Sequence, residues 1–183
     1  ILACFSDFVT TIEADLGYFQ RSTQTLKRLN NVTVLHGDSG ELLKSSLPKS
    51  ETNCLMWLDA HYSGGSTAGI HNHCPLMSEL QHILQSRKPS NTVILIDDSR
   101  GLIGKSGWPL LSDLIDLLNK SGFSSIILDD VLIASTAESR ELRQQVSERF
   151  WVVLSSRNVR GPACPARPPK LGRRRSNFYQ THQ

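Results

Sequence analysis

The chain has 183 residues, enough for one domain with a sizeable core. Its 39% hydrophobic and 20% charged content excludes a disordered chain, and no apolar run approaches the roughly 20 residues that span a bilayer. The net charge of +3 is unevenly spread: seven Lys or Arg and no acid lie beyond residue 156, leaving 13 basic against 17 acidic groups before it.

The opening Ile-Leu-Ala-Cys-Phe-Ser-Asp has no initiator Met, basic leader or signal-peptide pattern and reads as a chain entered mid-domain. Cys4, Cys54, Cys74 and Cys164 show no paired spacing, so disulfides are not indicated and a cytoplasmic setting is expected. The β-branched run at 8–12 predicts a strand ending at Glu13. A helix over 16–29 follows, with Leu16, Phe19, Leu26 and Leu29 on one stripe. Val32 opens the next strand, which runs into His36-Gly-Asp-Ser39 and a helix over 40–47.

Within Cys54-Leu-Met-Trp-Leu-Asp-Ala-His-Tyr62 an apolar run, Leu55 to Leu58, stops abruptly at Asp59, Ala60 and His61. A Gly-rich loop, 63–69, and His71-Asn-His73-Cys74 come next, then Pro75 at the start of a helix striped by Leu76, Leu80, Ile83 and Leu84. Thr92-Val-Ile-Leu-Ile96 ends like the earlier run, in Asp97 and Asp98. A helix over 109–120 is expected to bury Leu110, Leu111, Leu114, Leu117 and Leu118 and to close at Gly122. Runs at 125–128 and 131–134 flank Asp129-Asp130 and predict an antiparallel pair joined by a tight turn. A helix over 137–146 and a last strand over 150–154 complete a domain of residues 1–156. The Pro- and Arg-rich segment 157–183 is expected to be a disordered tail.

Alternating strands and helices predict an α/β, Rossmann-like three-layer sandwich with a mostly parallel sheet and an antiparallel C-terminal strand pair. In such sheets ligands gather outside the carboxyl ends of the strands. Glu13 there could accept the hydroxyls of a ribose, or be a solvated strand-end acid. Asp38 and Ser39 could read an adenine amino group, or cap the following helix. Asp59, Asp97 and Asp98 would repel one another unless a hard cation such as Mg²⁺ lay between them. Such an ion would polarise a substrate hydroxyl, and His61 is placed to take its proton. The competing reading has the two later acids capping a turn and His61 bonded within a loop. Zinc at His61, His71, His73 and Cys74 is disfavoured by the spacing, and a polar lid loop fits better. The basic tail could attract nucleic acid by charge, but no interleaved aromatics support specific recognition.

Val9-Thr-Thr-Ile-Glu13, Val34-Leu-His-Gly-Asp38, Met56-Trp-Leu-Asp-Ala-His-Tyr62 and Ile94-Leu-Ile-Asp-Asp98 resemble successive strand-end motifs of class I S-adenosylmethionine-dependent methyltransferases. The chain looks most like the metal-dependent sugar O-methyltransferases of macrolide (macrocin) and aminocoumarin biosynthesis and their cephalosporin-hydroxylase-like relatives. The resemblance implies S-adenosylmethionine with its ribose at Glu13 and its adenine near Asp38, Mg²⁺ at Asp59, Asp97 and Asp98, and a small-molecule acceptor bearing a hydroxyl. His61 falls where those enzymes place a catalytic Asp. The family's first strand and glycine-rich turn have no counterpart before Glu13, so the first strand is expected to be truncated. A metal-assisted hydrolase on the same scaffold and a non-catalytic, vestigial module are the alternatives.

Overall fold

A computed structural model describes residues 2–59, 74–104, 107–136 and 150–155, the last of these by backbone alone. Seven strands form one mixed sheet: β1 (Ser6–Glu13), β2 (Val32–His36), β3 (Cys54–Leu58), β4 (Thr92–Ile96), β5 (Ser124–Leu128), β6 (Val131–Ser135) and β7 (Phe150–Ser155). The helices are α1 (Leu2–Phe5), α2 (Leu16–Leu26), α3 (Ser39–Ser46), α4 (Leu76–Ser86) and α5 (Leu111–Lys120). The α/β class expected from the alternation is observed.

The strand order is β2-β1-β7-β3-β4-β6-β5. The first five of these run parallel, β6 is antiparallel to β4, and β5 is antiparallel to β6. The tight-turn pair is therefore present, with Asp129 and Asp130 both left-handed (φ 46° and 69°) as a two-residue hairpin turn requires. The sequence assigned the last strand no place in the sheet: β7 inserts parallel between β1 and β3, pairing Thr10 with Val153 and Val153 with Met56. An apolar run carries no mark of its place in a sheet, so pairing partners decide it.

One core cluster lies chiefly around β3, β4 and β6, where Met56, Leu58, Ile94, Ile96, Leu132 and Ala134 are fully buried. Leu80 and Ile83 of α4 and Leu114 and Leu118 of α5 pack into it, as the 3.6-residue stripes predict. Asp15 and Asp38 cap α2 and α3, their carboxylates accepting the Tyr18 and Glu41 amides at 2.9 and 3.1 Å. Gly40 lets α3 approach α4, because a Cβ there would collide with Ser78 Oγ. Gly122 (φ 87°) ends α5 as expected, its amide bonding Asn119 O at 3.0 Å.

Three expectations are corrected. Helix α2 stops at Leu26 rather than 29, where a turn forms through the Leu29 amide and Leu26 O. Leu110 is 46% exposed, because it stays extended as the N-cap of α5 and bridges Ile103. Cys4 is disulfide-bonded, whereas buried Cys54 is a free thiol. Which cysteines meet is set by the fold and leaves no mark in their spacing.

Arg87, at the end of α4, is a buried charge that periodicity did not flag. Its guanidinium donates to Pro48 O at 3.0 Å, to Lys49 O and Thr52 O, and to Thr92 Oγ1 at 3.3 Å. These bonds tie the loop before β3 to the start of β4, and so fix the level at which both strands end.

Candidate functional site

Because β1, β2, β3, β4 and β7 run parallel, their last residues share one edge of the sheet. Leu58 pairs with Ile96, and the Asp97 amide bonds Leu58 O at 3.0 Å, so the ladder continues one residue beyond β4. Asp59 and Asp97 thus leave neighbouring strand ends side by side. On the other flank Glu13 pairs with His36, and the Gly37 amide bonds Glu13 O at 3.0 Å. Asp38 follows at once. Ser155 of β7 pairs with both Ile12 and Leu58, so only β7 separates Glu13 from Asp59, a gap of about 10 Å for two strand spacings.

Glu13 is 2% exposed, which removes the solvated strand-end reading. The Ser22 hydroxyl of α2 lies 3.5 Å from its Oε1. The His36 ring stacks on Phe19 with centroids 5.0 Å apart, putting an imidazole and a phenyl ring beside the β1 and β2 ends. The sequence marked Phe19 only as a helix-stripe residue and gave His36 no role, although His36 closes an apolar run as Asp59 and Asp97 do. Asp38 caps α3, the simpler of its two expected roles, while Ser39 is buried in the first turn.

Asp98 parts company with Asp97. Its backbone is left-handed (φ 52°), and its carboxylate accepts from Arg100 Nη2 at 2.8 Å. Arg100 also pairs with Asp130 through Nη1, and its amide donates to Asp130 Oδ1 at 2.8 Å. The Ser99 hydroxyl reaches the same oxygen at 3.2 Å. The β5–β6 turn, which pattern reading treats only as a connection, is therefore an anchor for the chain after β4. Asp97 Oδ1 in turn accepts the Asp98 amide at 2.9 Å.

The geometry gathers Asp59 with Asp97 and directs Asp98 toward a cation from its own chain. Among the described residues no three His, Cys, Asp or Glu are grouped for a metal ion. Asp59 and Asp97, neighbours by backbone register, are oxygen-donor residues of the kind a hard cation takes. His61, His71, His73, the 63–69 loop, the 137–146 helix and the 157–183 tail lie outside the described residues. No described helix is long and apolar enough to cross a membrane. No protein-family model matches the sequence, and no curated protein does.

Proposed function

We propose that the chain is an S-adenosylmethionine-dependent methyltransferase-like domain of Rossmann-like, three-layer architecture, acting on a hydroxyl of a small molecule. The observation that carries this reading is the reversal of strand order at β7. The β1–α2–β2 unit steps away from β7 on one side and the β3–α4–β4 unit on the other. Ligands of open α/β sheets bind outside the carboxyl ends at such a switch point. Here that point is flanked by Glu13 and Asp59.

Glu13 accepts the ribose hydroxyls, with Asp38 and Ser39 on the adenine side. The cofactor, when bound, supplies a methyl group already activated on sulfonium, so the protein's work is alignment of the acceptor oxygen. His61, two residues beyond Asp59, takes the acceptor's proton. Asp59 and Asp97 are the residues that hold a divalent ion, whose chemistry is to lower the pKa of the acceptor hydroxyl.

Thermal unfolding with S-adenosylhomocysteine tests the reading. At about a hundredfold excess over Kd the melting temperature should rise by roughly 5 to 10 °C, and Glu13→Gln should lose most of that rise. Calorimetric Mg²⁺ titration of wild type and Asp97→Asn separates the rivals. Metal binding that needs Asp97, without any response to S-adenosylhomocysteine, favours a metal-assisted hydrolase. Silence in both assays favours a vestigial module.

A further inference from the structure

The far edge of the sheet is built differently from the near one. β5 pairs only with β6 among the described residues, and it has no Pro, no charge and no bulge between Ser124 and Leu128. Ile126, Ile127 and Leu128 are 53%, 48% and 58% exposed. Proteins commonly blunt such edges with charges, bulges or cover, because a bare row of N–H and C=O groups recruits another strand.

The hairpin decides which groups are bare. With a two-residue turn, the closing pair Leu128–Val131 exchanges both hydrogen bonds, and bonded pairs then alternate along the ladder. Ser124, Ile126 and Leu128 thus spend their backbone groups on β6. Ser125 and Ile127 turn theirs outward. We infer that two copies of this chain pair edge to edge through β5, antiparallel about a two-fold axis at Ile127.

In that register Ile127 exchanges two backbone hydrogen bonds with its own mate. Ile126 meets Leu128 of the second copy on the same face, so the whole exposed apolar trio is covered. Ser125 falls opposite Asp129, which keeps like charges apart. Antiparallel pairing also brings Lys120, at the end of α5 just before β5, to the end of the dimer seam where the second copy's exposed Asp129 lies. Charge order along β5, basic before it and acidic after, is self-complementary only in this orientation. A two-fold contact closes on itself, so it yields dimers rather than fibres. Five residues a side fall short of a standard interface, so the dimer is concentration-dependent.

Sedimentation equilibrium of wild type beside Ile127→Pro tests this. The Ile127 amide makes no bond to β6, so Pro removes an outward donor without breaking the hairpin ladder. Wild type should show a monomer–dimer equilibrium, and Ile127→Pro should weaken it about tenfold or more with an unchanged circular dichroism spectrum. If the Pro variant does not fold, Ile127→Lys serves, since the two-fold axis sets two like charges opposite each other. A wild type that stays monomeric at its highest soluble concentration, dimers unaffected by either folded variant, or open-ended oligomers would overturn the proposal.

Discussion

The sheet has two unequal flanks on either side of β7. Toward β3, β4 and β6 the strands are almost wholly buried, and α4 and α5 press leucines and isoleucines into them. On the other side β1 is still mostly buried, but beyond it the packing thins: β2 is half-buried to exposed, and α2 buries only Ser22. Both flanks carry acids at the same edge, yet the outer part of the second, β2 with α2, is held by less packing than β3 and β4. Among the described strands the second flank joins the first through β7. The difference teaches that the candidate site straddles a firm wall and a weak one, and that β7 is the joint.

The sharpest way to break that asymmetry is Val153→Pro. Pro in a strand paired on both sides removes ladder bonding and costs about 3 kcal/mol or more. We expect loss of cooperative unfolding by circular dichroism, in contrast to the tolerance expected for Pro at Ile127 on the edge. Next, Leu80→Ala in the deep flank should cost about 3 kcal/mol, whereas Leu26→Ala in half-buried α2 should cost about 1 kcal/mol or less. Urea midpoints compare the two; equal losses would erase the claimed difference in packing. Arg87→Met should cost about 2 kcal/mol, since it leaves the carbonyls of Pro48, Lys49 and Thr52 without their donor. Amide exchange should then speed up in β3 before it does in β1.

Two smaller effects concern titration. Burial pushes the Cys54 thiol up to about 12. The unfolded chain releases that proton first, so the contribution of Cys54 to stability falls as pH rises from the ordinary thiol range toward 12. Cys54 should therefore resist alkylation until the protein unfolds, while half-buried Cys74 reacts earlier; mass spectrometry of labelled peptides reads the order. Smallest of all, hydrogen bonds from Ser50, from its own backbone and from Lys88 hold the Glu51 carboxyl down to about 2. A depressed acid stabilises above the ordinary carboxylate range and loses that stabilisation as pH falls toward 2. Glu51→Gln should differ slightly from wild type in melting temperature at neutral pH, and not at all once the acid is protonated.

Much of this was legible residue by residue. The apolar run at 55–58 falls within strand β3, one residue longer at its start, the run at 92–96 is strand β4, and Asp59 and Asp97 do leave adjacent ends. Pattern reading found them because a buried parallel strand excludes polar residues and releases them where it meets solvent. The same logic failed to separate Asp98 from Asp97. Which of two consecutive acids turns away depends on a left-handed backbone and on Arg100, whose second partner, Asp130, lies thirty residues on. Glu13 was equally opaque, since a strand-end acid is wet or dry according to what packs over it.

Periodicity and punctuation are local, and they were sufficient for the α/β class, the buried stripe of α4 and the hairpin turn, whereas on α2 Leu16 is exposed and Ser22 is the buried residue. Strand neighbours and the hydrogen bonds of buried charges such as Arg87 are long-range, and folding alone settled them, as it did the disulfide at Cys4. The central position of β7 is the plainest case. Its hydrogen bonds are the same in kind wherever it pairs, so only competition among the sheet's open edges could choose the slot between β1 and β3.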